Sequence, residues 1–109
     1  MVREKRPTNF RFAAKKPTVD ELLASRRQLN AAGANFLKTD LQTALTFAGI
    51  ALESEQGPKR NRNCENARKG YDTIVRLVSK FDLSEEDARS LARNLQRLKS
   101  ELQTLGEVF

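Results

Sequence analysis

Between Asn61 and Phe81 the apolar residues Cys64, Ala67, Tyr71, Ile74, Val78 and Phe81 recur at spacings of three, four, three, four and three. Only an α-helix keeps such a set on one side, and that side needs a partner. The same rhythm returns in Ala88, Leu91, Leu95, Leu98, Leu102 and Leu105, closed by Gly106. Only a short connection separates the two stripes, so they are expected to form an antiparallel helical hairpin. The outer side of the first stripe carries Arg62, Glu65, Lys69, Asp72, Arg76 and Lys80. There Glu65 precedes Lys69, and Asp72 precedes Arg76, by four residues, a spacing that supports an exposed helix.

Other elements follow from local signals. Thr18 with Glu21 three residues later is a capping box, with acids in the first turn of the helix it starts. Leu22, Leu23 and Leu29 then make a thin apolar stripe. From Phe36 to Glu55 the stripe widens to include Leu37, Leu41, Ala44, Leu45, Phe47, Ala48, Ala51 and Leu52. The alanines there predict close approach of a neighbouring helix. Gly33 disfavours helix by about 1 kcal/mol, and Thr39 to Gln42 is a second capping box. Residues 18–55 are therefore either one long helix or two. Gln56-Gly57-Pro58 ends that unit, and Ser84 before three acids starts the last helix. Leu83 could staple to Ala88.

The expected fold is all-α: an antiparallel three-helix bundle over about 36–55, 59–81 and 84–106. An additional N-terminal helix over about 18–34 either continues into the first core helix or packs as a fourth. Residues 1–17 read as a basic flexible arm and residues 18–109 as one helical-bundle domain.

Composition removes several chemistries. The 109 residues contain no histidine and a single cysteine, Cys64. The usual triads, an internal disulfide and multi-cysteine zinc sites are thereby excluded. Cys64 in a heptad core position reads as a small buried apolar residue. Asp40 reads as a structural carboxylate and Arg68 as a candidate partner for it. No phosphate loop or dinucleotide fingerprint occurs, so no enzymatic activity and no cofactor are expected. No apolar run is long enough to cross a membrane, and no apolar block follows the basic N-terminus. A cytoplasmic location is the expectation.

The net charge of +6 is unevenly distributed. Residues 1–16 carry six bases and one acid, and residues 57–81 seven bases and two acids. Residues 17–56 and 82–109 are each mildly acidic. The candidate polyanion-binding residues are Arg3, Lys5, Arg6, Arg11, Lys15 and Lys16 in the arm and Lys59, Arg60 and Arg62 after Pro58. Phe10 and Phe12 could stack on bases. Arg89, Arg93 and Arg97 form a row four residues apart and read as a solvated face.

Asp40 to Leu52, with its small alanines and Phe47 three to four residues apart before an Ala-Leu pair, resembles the second helix of a tetratricopeptide repeat. Asn66-Ala67-Arg68-Lys69-Gly70-Tyr71 echoes the same packing, although the full repeat signature is absent. The three-helix core from Phe36 to Gly106 also looks like the microtubule-interacting-and-transport class of bundles. The resemblance implies helical-hairpin packing with a groove for a partner peptide or helix.

Two functions compete. The first is a protein-interaction or scaffold module, with self-association or a protein partner. Its basis is an apolar face too wide for a three-helix core to bury. Phe36, Phe47 and Ile50 mark that surface, Ile50 lying off the main stripe. The second is nucleic-acid binding through the arm and the Lys59–Arg62 cluster.

Overall fold

The computed structural model describes residues 16–109, which form three α-helices and one short 3₁₀ turn. Helix α1 is Val19–Glu53, α2 is Pro58–Leu77 followed by the turn Val78–Lys80, and α3 is Glu85–Thr104. The all-α bundle expected from periodicity is thus the fold. Among the described residues no helix is long and apolar enough to cross a membrane.

Residues 18–55 resolve into one helix rather than two. The Thr18 capping box is formed: the Glu21 N–H donates to Thr18 Oγ1 and the Thr18 N–H to Glu21 Oε1. The second box at Thr39–Gln42 is not used, because the helix runs through it. Gly33 does not break α1 either. It is buried, and a Cβ there would overlap the ring of Phe81. The glycine therefore provides room for a ring arriving from the end of the second helix. That contact outweighs a local cost of about 1 kcal/mol.

The α1–α2 connection ends one helix and starts the next within four residues. Ser54 is extended and its Oγ–H donates to the Ile50 carbonyl. Gly57 has φ 147°, a conformation side chains disfavour, and Pro58 opens α2. Arg60 reaches back from α2 and donates to the carbonyls of Ala51 and Ser54 at 3.4 and 3.2 Å. It thereby caps the C-terminal end of α1, sharing the Ala51 carbonyl with the Ser54 N–H.

Helices α1 and α2 run antiparallel through small residues. Ala44, Ala48 and Ala51 of α1 and Ala67 of α2 are buried. A Cβ on Gly70 would sit 2.8 Å from the Ala44 Cβ, which shows how close the backbones come. Helix α3 closes the bundle with Leu91, Leu98 and Leu102, which join Leu37, Leu41, Leu45 and Ile74 in one core. Cys64, Tyr71, Val78, Phe81, Leu95 and Leu105 pack around it half-buried. Ala88 is the exception to the predicted stripe. It is exposed, and Leu83 from the preceding turn packs on the core instead.

Ser84 caps α3 as expected, accepting from the Asp87 N–H at 3.0 Å. The other end closes as a Schellman turn. The Glu107 N–H donates to the Leu102 carbonyl and the Gly106 N–H to the Gln103 carbonyl, with Gly106 at φ 101°. This turn sends residues 107–109 back onto α2.

The bundle is elongated. Its Cα radius of gyration is 20.7 Å, where about 12 Å is usual for a compact domain of this length. Helix α1 accounts for this. Its 35 residues extend about 52 Å, against about 30 Å for the 20-residue α2 and α3.

Candidate interaction surface

The tip of the α2–α3 hairpin meets α1 well inside its N-terminus. The Asp82 N–H donates to Asn30 Oδ1 at 3.1 Å, and Asp82 Oδ2 faces Arg26 Nη2 at 3.4 Å. Phe81 lies on Gly33 one turn further on. Val19 to Ser25 therefore extends about 10 Å past the hairpin as two uncovered helical turns.

At 100° per residue, Val19, Leu22 and Leu23 fall on the face that carries Leu37, Leu41 and Ala48 into the core. That face simply continues beyond the part of the bundle that buries it. Val19 is 71% exposed, Leu22 54% and Leu23 47%. Leu29, on the flank of the same stretch, is 67% exposed.

The residues expected to mark an interaction surface lie further along. Phe36 is 49% exposed, whereas Phe47 and Ile50 are half-buried. Phe36 and Phe47 share a shallow depression of about 240 Å³ between α1 and α2, rimmed also by Asp40, Asn66, Lys69 and Thr73. Ile50 is not part of it. Of the Phe36–Leu52 face expected to leave apolar surface, Leu37, Leu41, Ala44, Leu45, Ala48 and Ala51 are buried, Phe47, Ile50 and Leu52 are half-buried and Phe36 is exposed. The larger exposure lies on Val19, Leu22, Leu23 and Leu29. Periodicity gave the direction in which these side chains point, but it does not reveal whether anything covers them.

The basic candidates are dispersed. Arg3, Lys5, Arg6, Arg11 and Lys15, with Phe10 and Phe12, lie outside the described residues. Lys16, Lys59 and Arg62 are exposed. Arg60 is half-buried in its capping role. The first turn of α2 has no acid and no side-chain cap. The Arg89–Arg97 row is laced with acids: Arg89 pairs with Glu85 at 3.6 Å and Arg97 with Glu101 at 3.1 Å.

A second cluster, which periodicity could not show, closes the α2–α3 crevice. Arg68 donates to Asp72 at 3.1 Å, to Glu107 Oε1 at 3.1 Å and to the Val108 carbonyl at 3.0 Å. The expected partner Asp40 is not among these, and Asp72 pairs back to Arg68 rather than on to Arg76. The Arg68 guanidinium lies 4.1 Å from the centroid of the Phe109 ring, which meets Tyr71 edge-on at 4.9 Å. Cys64 Sγ sits 3.8 Å from Glu107 Oε2. Burial, then the charge of Glu107, pushes the thiol pKa up. A protonated, sheltered thiol is a poor nucleophile. At the other end of α3, Lys38 contacts Asp87 at 2.7 Å. That hydrogen bond and charge hold the Asp87 carboxyl below its ordinary range.

No protein-family model, curated protein or solved structure matches the chain.

Proposed function

We propose that the chain is a non-enzymatic helical interaction module whose contact surface is the projecting end of α1. One observation carries this reading: Val19, Leu22 and Leu23 continue the core face of α1 past the hairpin and are about half exposed or more. Covering the exposed part of each side chain contributes about 1 kcal/mol. The capping box holds these two turns helical at their free end, so a partner meets a formed surface. A cytoplasmic location goes with this reading, since a single reduced thiol is ordinary there.

The test is a photocrosslinking amino acid at position 22 or 23 in the producing cell, with exposed position 103 as control. A discrete protein adduct at 22 or 23 that is absent at 103 supports the reading. Equal adduct patterns at all three positions refute it.

A second reading, nucleic-acid binding, has one supporting feature. Lys59 and Arg62 are exposed at the start of α2, where no acid offsets them. It ranks second because residues 16–109 carry 15 bases and 13 acids, leaving +4 of the +6 on residues 1–15. Salt-sensitive binding to a short RNA or DNA, lost on deletion of residues 1–16, would raise it to first place.

A further inference from the structure

We infer that the groove between α1 and α2 receives an acidic amphipathic helix of another protein, its apolar side on Phe36 and Phe47 and its acidic flank along α2. This surface is separate from the projecting end of α1.

Lys59, Arg62, Lys69, Arg76 and Lys80 share one side of α2 and the turn that follows it, with Asn66 and Thr73 in the two gaps between them. Members of the row succeed one another every three or four residues. The row therefore stays on one side for about 30 Å, and it contains no acid. All five cations are exposed, and none takes part in an ion pair among the described residues. The acids that could have neutralised them are turned elsewhere. Arg68 holds both Asp72 oxygens, at 3.1 and 3.3 Å, and so draws that carboxylate off Arg76. Glu65 makes no ion pair with Lys69 among the described residues.

The row borders an apolar recess. Asn66, Lys69 and Thr73 line from α2 the same depression that Phe36 and Phe47 line from α1. Phe36 is 49% exposed. A half-exposed ring beside a row of unneutralised cations fits a partner that is apolar on one side and acidic on the next. Residues seven apart on a helix are about 10 Å apart, and Arg62, Lys69 and Arg76 keep that interval. A partner helix with an acid every seven residues meets all three in register. Nucleic acid fits less well: no cation of α1 lines the recess, and Asp40 on its α1 side repels a phosphate chain laid there. A bilayer also fits less well, because Phe47 and Ile50 are half-buried rather than projecting.

The probe is a fluorescent helical peptide of about 20 residues, with leucines at core spacing and glutamates every seven residues along one flank. It is titrated with the full chain and followed by anisotropy. Binding in the micromolar range that weakens with salt is expected. K69E combined with R76E should weaken it about tenfold. R27E combined with R93E changes the net charge equally, at exposed cations outside the row, and should alter affinity less than about twofold. A peptide with lysines in place of the glutamates should bind the K69E/R76E variant more tightly than it binds the parent, a reversal that a folding defect does not produce. All four substituted positions are exposed, so circular dichroism of the variants should match the parent chain.

No peptide binding up to about millimolar concentration, equal losses in the two double variants, or no reversal with the lysine peptide would each overturn the inference. So would tighter binding of a short RNA, or of vesicles with about a third anionic lipid, that K69E/R76E abolishes. Adducts at positions 22 and 23 report on the projecting end of α1 alone, so either surface can fail without the other.

Discussion

Replacing Gly33 with alanine tests how α1 passes the hairpin tip. In an ordinary helix interior the change stabilises by about 1 kcal/mol. Here the new methyl would overlap the Phe81 ring. The ring is half-buried, so turning it out forfeits about 1–1.5 kcal/mol of burial. Keeping it in place strains the core by about 1–3 kcal/mol. The cheaper route is nearly offset by the helix gain, so the net expectation for G33A is a loss of about 0–0.5 kcal/mol. Gly49 is the internal control: it lies in the same helix, and a Cβ there meets nothing within 4 Å. G49A should stabilise by about 0.5–1 kcal/mol. Urea titration followed by circular dichroism should separate the two variants by about 1 kcal/mol. With a slope of about 1 kcal/mol/M for a chain this size, the midpoints lie ~1 M apart. Removing the ring should remove the penalty, so G33A introduced into F81A is expected to be neutral or stabilising. If G33A stabilises as much as G49A, or costs the same without the Phe81 ring, the account of Gly33 is wrong.

Leu98→Ala should cost about 2–5 kcal/mol, because Leu98 is fully buried, and thermal melting will show whether the fold survives it. Ser84→Ala should cost about 1 kcal/mol by leaving the Asp87 N–H without its cap, measured by the same urea titration. Cys64 should alkylate more slowly at neutral pH than an unstructured cysteine, and E107Q should speed it by removing a charge that raises the thiol pKa. Equal rates in parent and E107Q would refute the Glu107 contact. The Asp87 carboxyl is depressed in the fold, so its contribution is present at neutral pH and is lost as pH falls through the folded value. D87N and K38M should each flatten the stability profile below about pH 4.

The helices and their core faces were legible because burial repeats with the helical period, and no tertiary information is needed to see it. Ala67, Ile74, Leu91, Leu98 and Leu102 illustrate this. The close approach at Gly70 and the alanines of α1 was legible for a related reason: small residues in register leave room for a backbone. Three features were not. The continuity of α1 through Gly33 depends on a ring 48 residues away, so no local signal carries it. Arg60 looked like a free cation because its acceptors, the Ala51 and Ser54 carbonyls, come within reach only once the connection has turned. The return of residues 107–109 depends on Arg68, with no periodicity to announce it. The projecting surface sits between these cases. Its apolar residues were visible, but their exposure depends on where the hairpin stops.

That stopping point makes the contact surface a replaceable attachment. Val19–Ser25 carries its own cap and lies outside the buried core cluster, so its length can change without editing the bundle. Inserting seven residues before Arg26 would move the apolar turns about 10 Å outward and rotate them only about 20°. Inserting four would swing them by about 40°. Distance and heading of the docking turns could thus be set independently of the stability of the domain that holds them.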